Sequence, residues 1–291
     1  MHPAPSVILF TTLSGLGFGL LFWLGIGEPV ETGGVAFVFY LIAYAMAVGG
    51  LLASTYHLGN RKNAPKAFTQ WRTSWLSREA WASVAALLIM GLVAFFAIFF
   101  SIRMSLLGWI GAMFCLATVF TTSMIYAQLR TIPRWNSWIT PTHLLSLSLA
   151  GGALLAGQTG AATGLLIIAG IVQLAAWGLG DRQFVRAGHT LASATGLGEP
   201  GRVRAFEPPH TGSNFLLDEM VHVVGRKHAM KLRVIAFLLA FAFPVLLVGV
   251  FHAGHALAGI AVLSHLAGVL VSRWLFFAEA EHVVGLYYGK R

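Results

Sequence analysis

Long runs almost free of charge leave this chain few folds to choose from. A helix needs about 20 mainly apolar residues to cross a hydrocarbon core of about 30 Å. Runs of that kind lie at 6–27, 35–56, 80–102, 106–126, 142–157, 160–180, 232–251 and 256–278. The predicted fold is therefore an all-α integral membrane protein, a single membrane domain over residues 1–291 built as a bundle of eight transmembrane helices. The fifth run is short and carries Thr142, His143, Ser146 and Ser148, so it needs tight packing against the sixth. Only 10% of residues are charged, against about 25% in soluble domains, so a water-facing surface could not be covered. The first run has no Lys or Arg before it and continues into Glu28 without a small-residue cleavage site, so it is expected to stay as a span.

With eight crossings both termini share one side with the connections after spans two, four and six. All but Arg103 and Arg273 of the 19 Lys and Arg then fall on that side or at its span ends. Basic residues near span ends mark the cytoplasmic face, which predicts a multi-pass protein of the inner (cytoplasmic) membrane with both termini inside. The net charge of +9 is thereby explained by topology and anionic lipid, not by nucleic acid. The long cytoplasmic loop at 181–231, between helices six and seven, reads as coil rich in Gly and Pro followed by an interfacial amphipathic helix over 214–231. It serves either as a surface linker or as a docking platform for a partner.

The segment 57–79 carries the most chemistry. His57 ends span two, where Gly59 can close the helix. Pro65 suits the start of a short helix on which Phe68, Trp71, Arg72 and Trp75 recur at helical spacing, and Ser77 is expected to cap span three. His57 and Glu79 have ordinary readings, as a hydrated helix-end residue and as an acid complementing a helix dipole. Their shared membrane depth suggests more. A quinone needs a hydrogen-bond partner, a proton donor near water and apolar walls, which His57, Glu79 and Trp71 or Trp75 can supply. Arg72 and Trp75 would shape the entrance. Tyr126 either donates a hydrogen bond into the same cavity or sits in an aromatic belt. Arg273 either snorkels, pairs with Glu279, or binds a lipid or quinone headgroup.

Cys115 has no second cysteine to pair with, so a disulfide framework, a cluster or a zinc site made by this chain alone is excluded. His143, His252, His255 and His265 lie in or near spans, where two histidines from different helices could ligate a haem. No second pair faces His252 and His255 at mid-membrane, so neither haem nor any other metal site is expected.

Several blocks carry a resemblance: His57-Leu58-Gly59, Ala67-Phe68, Ser74-x-Leu76-Ser77-x-Glu79, Tyr126 with Pro133-x-Trp135-x-Ser137-x-x-Thr140-Pro141, and Arg273-x-x-Phe276. On these the chain resembles the anchor-subunit family of dimethyl sulfoxide reductase. That resemblance implies two partners, an iron-sulfur subunit and a molybdopterin catalytic subunit that hold the clusters and the molybdopterin, and electron exchange with membrane quinone. It also implies quinol-binding roles for His57 and Glu79, and an anchor without haem. The basic 57–79 connection and the insertion at 181–231 are similar to the branch anchoring a cytoplasmic sulfite-oxidising molybdoenzyme, which implies electrons passing from sulfite to the quinone pool. The alternatives are a quinol-oxidising anchor of a sulfoxide or N-oxide reductase, a purely structural anchor, and a secondary transporter.

Overall fold

The computed structural model describes residues 1–56, 60–198, 201–207, 210–221, 227–251 and 254–289. Among them there is no strand. Seven helices are long and apolar enough to cross a membrane: α1 (Pro5–Ile26), α2 (Gly33–Thr55), α3 (Trp75–Phe100), α4 (Ser105–Ala127), α6 (Thr159–Arg186), α8 (Ala229–Val250) and α9 (His255–Ala278). Between them lie the shorter apolar α5 (Ile139–Leu155) and the single-turn α7 (Leu191–Thr195). The chain is a multi-pass membrane protein. Large apolar side chains on its outer faces, such as Leu88, Phe99 and Leu263, are exposed where lipid would lie.

Close helix approach here depends on missing side chains. In lipid, helices associate by packing and interhelical hydrogen bonds, and small residues let backbones meet. A Cβ on Gly17 would come 2.3 Å from the Ala47 nitrogen of α2. One on Gly19 would meet the Ser148 carbonyl oxygen of α5 at 2.0 Å, and one on Gly108 of α4 the Gly25 oxygen of α1 at 2.3 Å. α1 is thus a central post against which α2, α4 and α5 all pack. One apolar core gathers α1 to α5 and a second gathers α5, α6, α8 and α9, so α5 lies between the two. Its polarity is absorbed there, because Ser148 Oγ donates to the Gly15 carbonyl at 2.6 Å and Trp23 Nε1 to that of Leu149 at 3.0 Å. α5 also packs on α6, the neighbour its sequence calls for.

Several boundaries depart from expectation. α3 begins at Trp75 rather than 80, so Ser77 lies inside its first turn instead of capping it. The Ser77 hydroxyl accepts from Gln70 N and donates to the Ala67 carbonyl. The aromatic segment is a 3-10 helix at Arg61–Phe68, with Pro65 inside it, followed by turns, not one helix running from Pro65 to Trp75. Side chains of α3 occupy the carbonyls that a longer helix would have used itself: Trp81 Nε1 bonds Phe68 O and Arg78 Nε bonds Trp71 O, both at 3.0 Å. α6 continues to Arg186 because Asp181, whose charge alone would place it outside the span, has partners on other elements. The connection from α6 to α8 is correspondingly shorter than 181–231. In its second half the described residues show a helical turn at Leu216–Met220, and the expected helix over 214–231 falls partly on residues 222–226, which lie outside the described residues.

Candidate functional site

At the basic end of the bundle the segments near the chain termini meet the connections after α4 and α6. The Met1 amino group donates to Ala280 O at 2.8 Å and Val283 N to Thr131 O at 2.9 Å. Tyr126, Trp135, Phe276 and Phe277 form a plug at this end, with Trp135 and Phe276 stacked at 5.0 Å. Tyr126 is 8% exposed and packs edge-on against the other three rings, so it belongs to this plug rather than to an interfacial belt. At the opposite end Arg103 Nη2 caps α1 by donating to the Gly27 carbonyl at 3.0 Å, a favourable place for a cation.

Glu79 is in the second turn of α3 and only 4% exposed. Its Oε1 accepts from Thr122 Oγ1 of α4 at 2.5 Å. Beyond the first turn, an acid gains little from the helix dipole, so the ordinary reading does not fit this placement. Burying a carboxyl costs several kcal/mol unless it is bonded or neutral, and one hydroxyl satisfies only part of it. Such a group holds or passes a proton with small changes in its surroundings. Arg273 is 1% exposed: it does not snorkel, and Glu279 is paired elsewhere. Its Nε donates to Thr11 Oγ1 at 3.1 Å and its guanidinium carbon lies 4.0 Å over the Phe276 ring. Tyr126 is within electrostatic reach of both Glu79 and Arg273. A small cavity between α1, α4, α5 and α9 is lined by both Thr122 and Arg273.

The outer face of α3 is different. Phe68, Trp71, Arg78, Trp81 and Phe114, over Ala82, Ala85 and Ala117, line an open apolar groove of about 610 Å³. That is within the roughly 300 to 1,000 Å³ of small-molecule sites. Trp75 packs edge-on against Phe120 with the Arg78 guanidinium 4.2 Å from its ring. Arg72 is exposed over the Trp71 ring. Glu79 and Tyr126 are thus both buried at this end, whereas Arg72 is exposed beside Trp71 and Trp75 packs against Phe120. His57, Leu58 and Gly59 lie outside the described residues, as does His252.

Sequence reasoning missed two parts of this end. One is Thr122, together with Thr11 and Thr12; the Thr-Thr pairs inside apolar runs were the available signal. The other is a network in which Arg134 and Arg233 each bond both Asp181 and Glu279, at 2.6 to 2.9 Å, joining the α4–α5 connection, α6, α8 and the end of α9. On another face of α9, His143 Nε2 lies 2.8 Å from Gln173 Oε1, which also accepts from Ser272 at 2.6 Å. His265 Nδ1 donates to the Ala240 carbonyl at 2.7 Å. Both histidines act as bonds between helices.

Fold and site define a helical, multi-pass membrane protein with a buried polar site at its basic end. The chain belongs to the DMSO reductase anchor subunit (DmsC) family, whose sequence model matches residues 1–289. It is 32% identical to a sulfite dehydrogenase subunit of Allochromatium vinosum, over 99% of this chain and 99% of that protein. No solved structure matches it.

Proposed function

We propose that this chain is the membrane anchor and quinone-binding subunit of a molybdopterin and iron-sulfur oxidoreductase, passing electrons from sulfite to the quinone pool. The observation that carries the quinone half is Glu79, a carboxyl buried at the basic end of α3, bonded to Thr122, on the helix whose outer face bears the apolar groove. The relative named as a sulfite dehydrogenase subunit supports the choice of sulfite. Eight crossings with cytoplasmic termini complete the reading. The bond from Met1 to Ala280 supports an even number of crossings, with the short α5 as one of them.

Reducing a quinone takes two electrons and two protons, and oxidising sulfite to sulfate with water releases two of each. The electrons come through the partners' clusters. This chain's residues bind the quinone and deliver protons: His57 holds one carbonyl and Glu79 relays a proton from the cytoplasm. Trp71 and Trp81 flank the lipid-side approach, with Arg72 and Trp75 near its mouth.

The test is the purified complex, assayed for sulfite-dependent quinone reduction against quinol-dependent sulfoxide reduction. The first activity is expected. Dominance of the second would make this a reductase anchor, the direction the family's name favours. Full quinone reduction by the partners without this chain would leave it a structural anchor.

A further inference from the structure

Among the described residues, four buried side-chain atoms have no hydrogen-bond partner: Thr12 Oγ1, His265 Nε2, and Arg273 Nη1 and Nη2. Three of them belong to residues lining the cavity between α1, α4, α5 and α9. A guanidinium buried with both amino groups unbonded loses its hydration without compensation, a cost larger for a charged donor than for a neutral one. Something that accepts hydrogen bonds must therefore meet them.

The remaining wall identifies it. Thr11, Ser14 and Ser148 give their hydroxyl protons to the carbonyls of Val7, Phe10 and Gly15, and Thr122 gives its own to Glu79 or Thr118. Their remaining lone pairs can only accept. The cavity thus offers donors from Arg273 and acceptors from the hydroxyls. A halide or a quinone carbonyl only accepts, and would leave those lone pairs unmatched. Water does both. The cavity offers about 20 Å³ to water-molecule centres, above the roughly 10 to 15 Å³ that one water needs, and it supplies more than the two to four polar partners required.

We propose that Arg273 and Thr12 hold ordered water in this cavity, and that this water, through Thr122, solvates the Glu79 carboxyl from inside the bundle. Among the described residues, Tyr126 on α4 lies near both Glu79 and Arg273; α1 carries no charged side chain, and Arg78 on α3 turns outward over Trp75. The fixed charge of Arg273 repels an excess proton, as arginines do in proton-excluding pores. The water therefore steadies Glu79 without carrying protons past it. Only this last consequence rests on the proton-relay reading; the water site does not.

Two measurements test it. A high-resolution structure of the whole complex should show one or two water peaks within hydrogen-bond distance of Arg273 Nη1 or Nη2 and Thr12 Oγ1. A dry cavity, or density that bromide replaces, overturns the proposal. In infrared spectra of the complex, the Glu79 carboxyl band, assigned by its loss in Glu79→Gln, should shift in Arg273→Met and in Thr12→Val but keep its position in Arg273→Lys. An unmoved band in Thr12→Val, which removes one hydroxyl at constant shape, overturns it even if Arg273→Met fails to assemble. A complex that reduces no quinone yet shows the water and the shifts would refute the quinone reading and leave this site standing.

Discussion

Thr122 on α4 donates a hydrogen bond to Glu79 on α3 at 2.5 Å, inside the bundle and beneath the basic end. The two residues stand 43 positions apart in sequence, and the bond turns a carboxyl on an outward-looking stretch of sequence into a buried, oriented group. It also gives the proposed proton relay a neighbour whose removal is chemically mild.

Glu79→Gln should slow quinone reduction by the complex on the order of 100-fold or more, the scale of lost general acid–base catalysis. Sulfite oxidation with a soluble acceptor should persist. His57→Ala should show the same split, and Thr122→Val a smaller one. Loss of both activities would indicate failed assembly, and retention of both would leave His57 a helix-end residue and Glu79 a buried structural carboxyl.

Reporter fusions after Arg291 and within 188–198 should both read as cytoplasmic, and one within 101–104 as external. An external signal at Arg291 would remove the case for cytoplasmic partners and, with it, the preference for sulfite.

Deleting 196–209 should weaken retention of the iron-sulfur subunit in pull-downs while the chain still inserts. Unchanged retention would make that stretch a linker.

Glu279→Gln should destabilise the detergent-solubilised protein more than Asp181→Asn. Glu279 is 5% exposed and serves two arginines that are themselves 14% and 15% exposed, whereas Asp181 is 45% exposed. The expected costs are about 2 to 3 kcal/mol, somewhat below a fully buried pair, against about 1 kcal/mol or less. Thermal unfolding followed by fluorescence would rank them, and equal costs would contradict the burial argument.

Gly19→Val should prevent a monodisperse protein, since its side chain would displace the α5 backbone at Ser148, whereas Gly164→Ala, with nothing within 4 Å, should be silent. Fluorescence-detected gel filtration distinguishes them.

The sequence by itself determined the class of this protein and its polarity. Apolar runs must become helices in lipid because no water is present to satisfy their backbone, and the clustering of Lys and Arg distinguishes one end of the bundle from the other. Glu79 was legible too, as an acid at the edge of a span. Where α3 starts was not, because Ser77, Arg78 and Glu79 read as loop until the carbonyls of 67–72 supply partners for Ser77, Arg78 and Trp81. Nor was the choice between Arg273 and two other arginines as partners of Glu279. Arg273 is six residues away in sequence, but the helix turns it inward to Thr11, while Arg134 and Arg233 arrive from distant segments. Periodicity and charge counts report what each segment must bury. Which buried groups then meet depends on how closely helices approach, and here that is decided in three dimensions by glycines at their crossings.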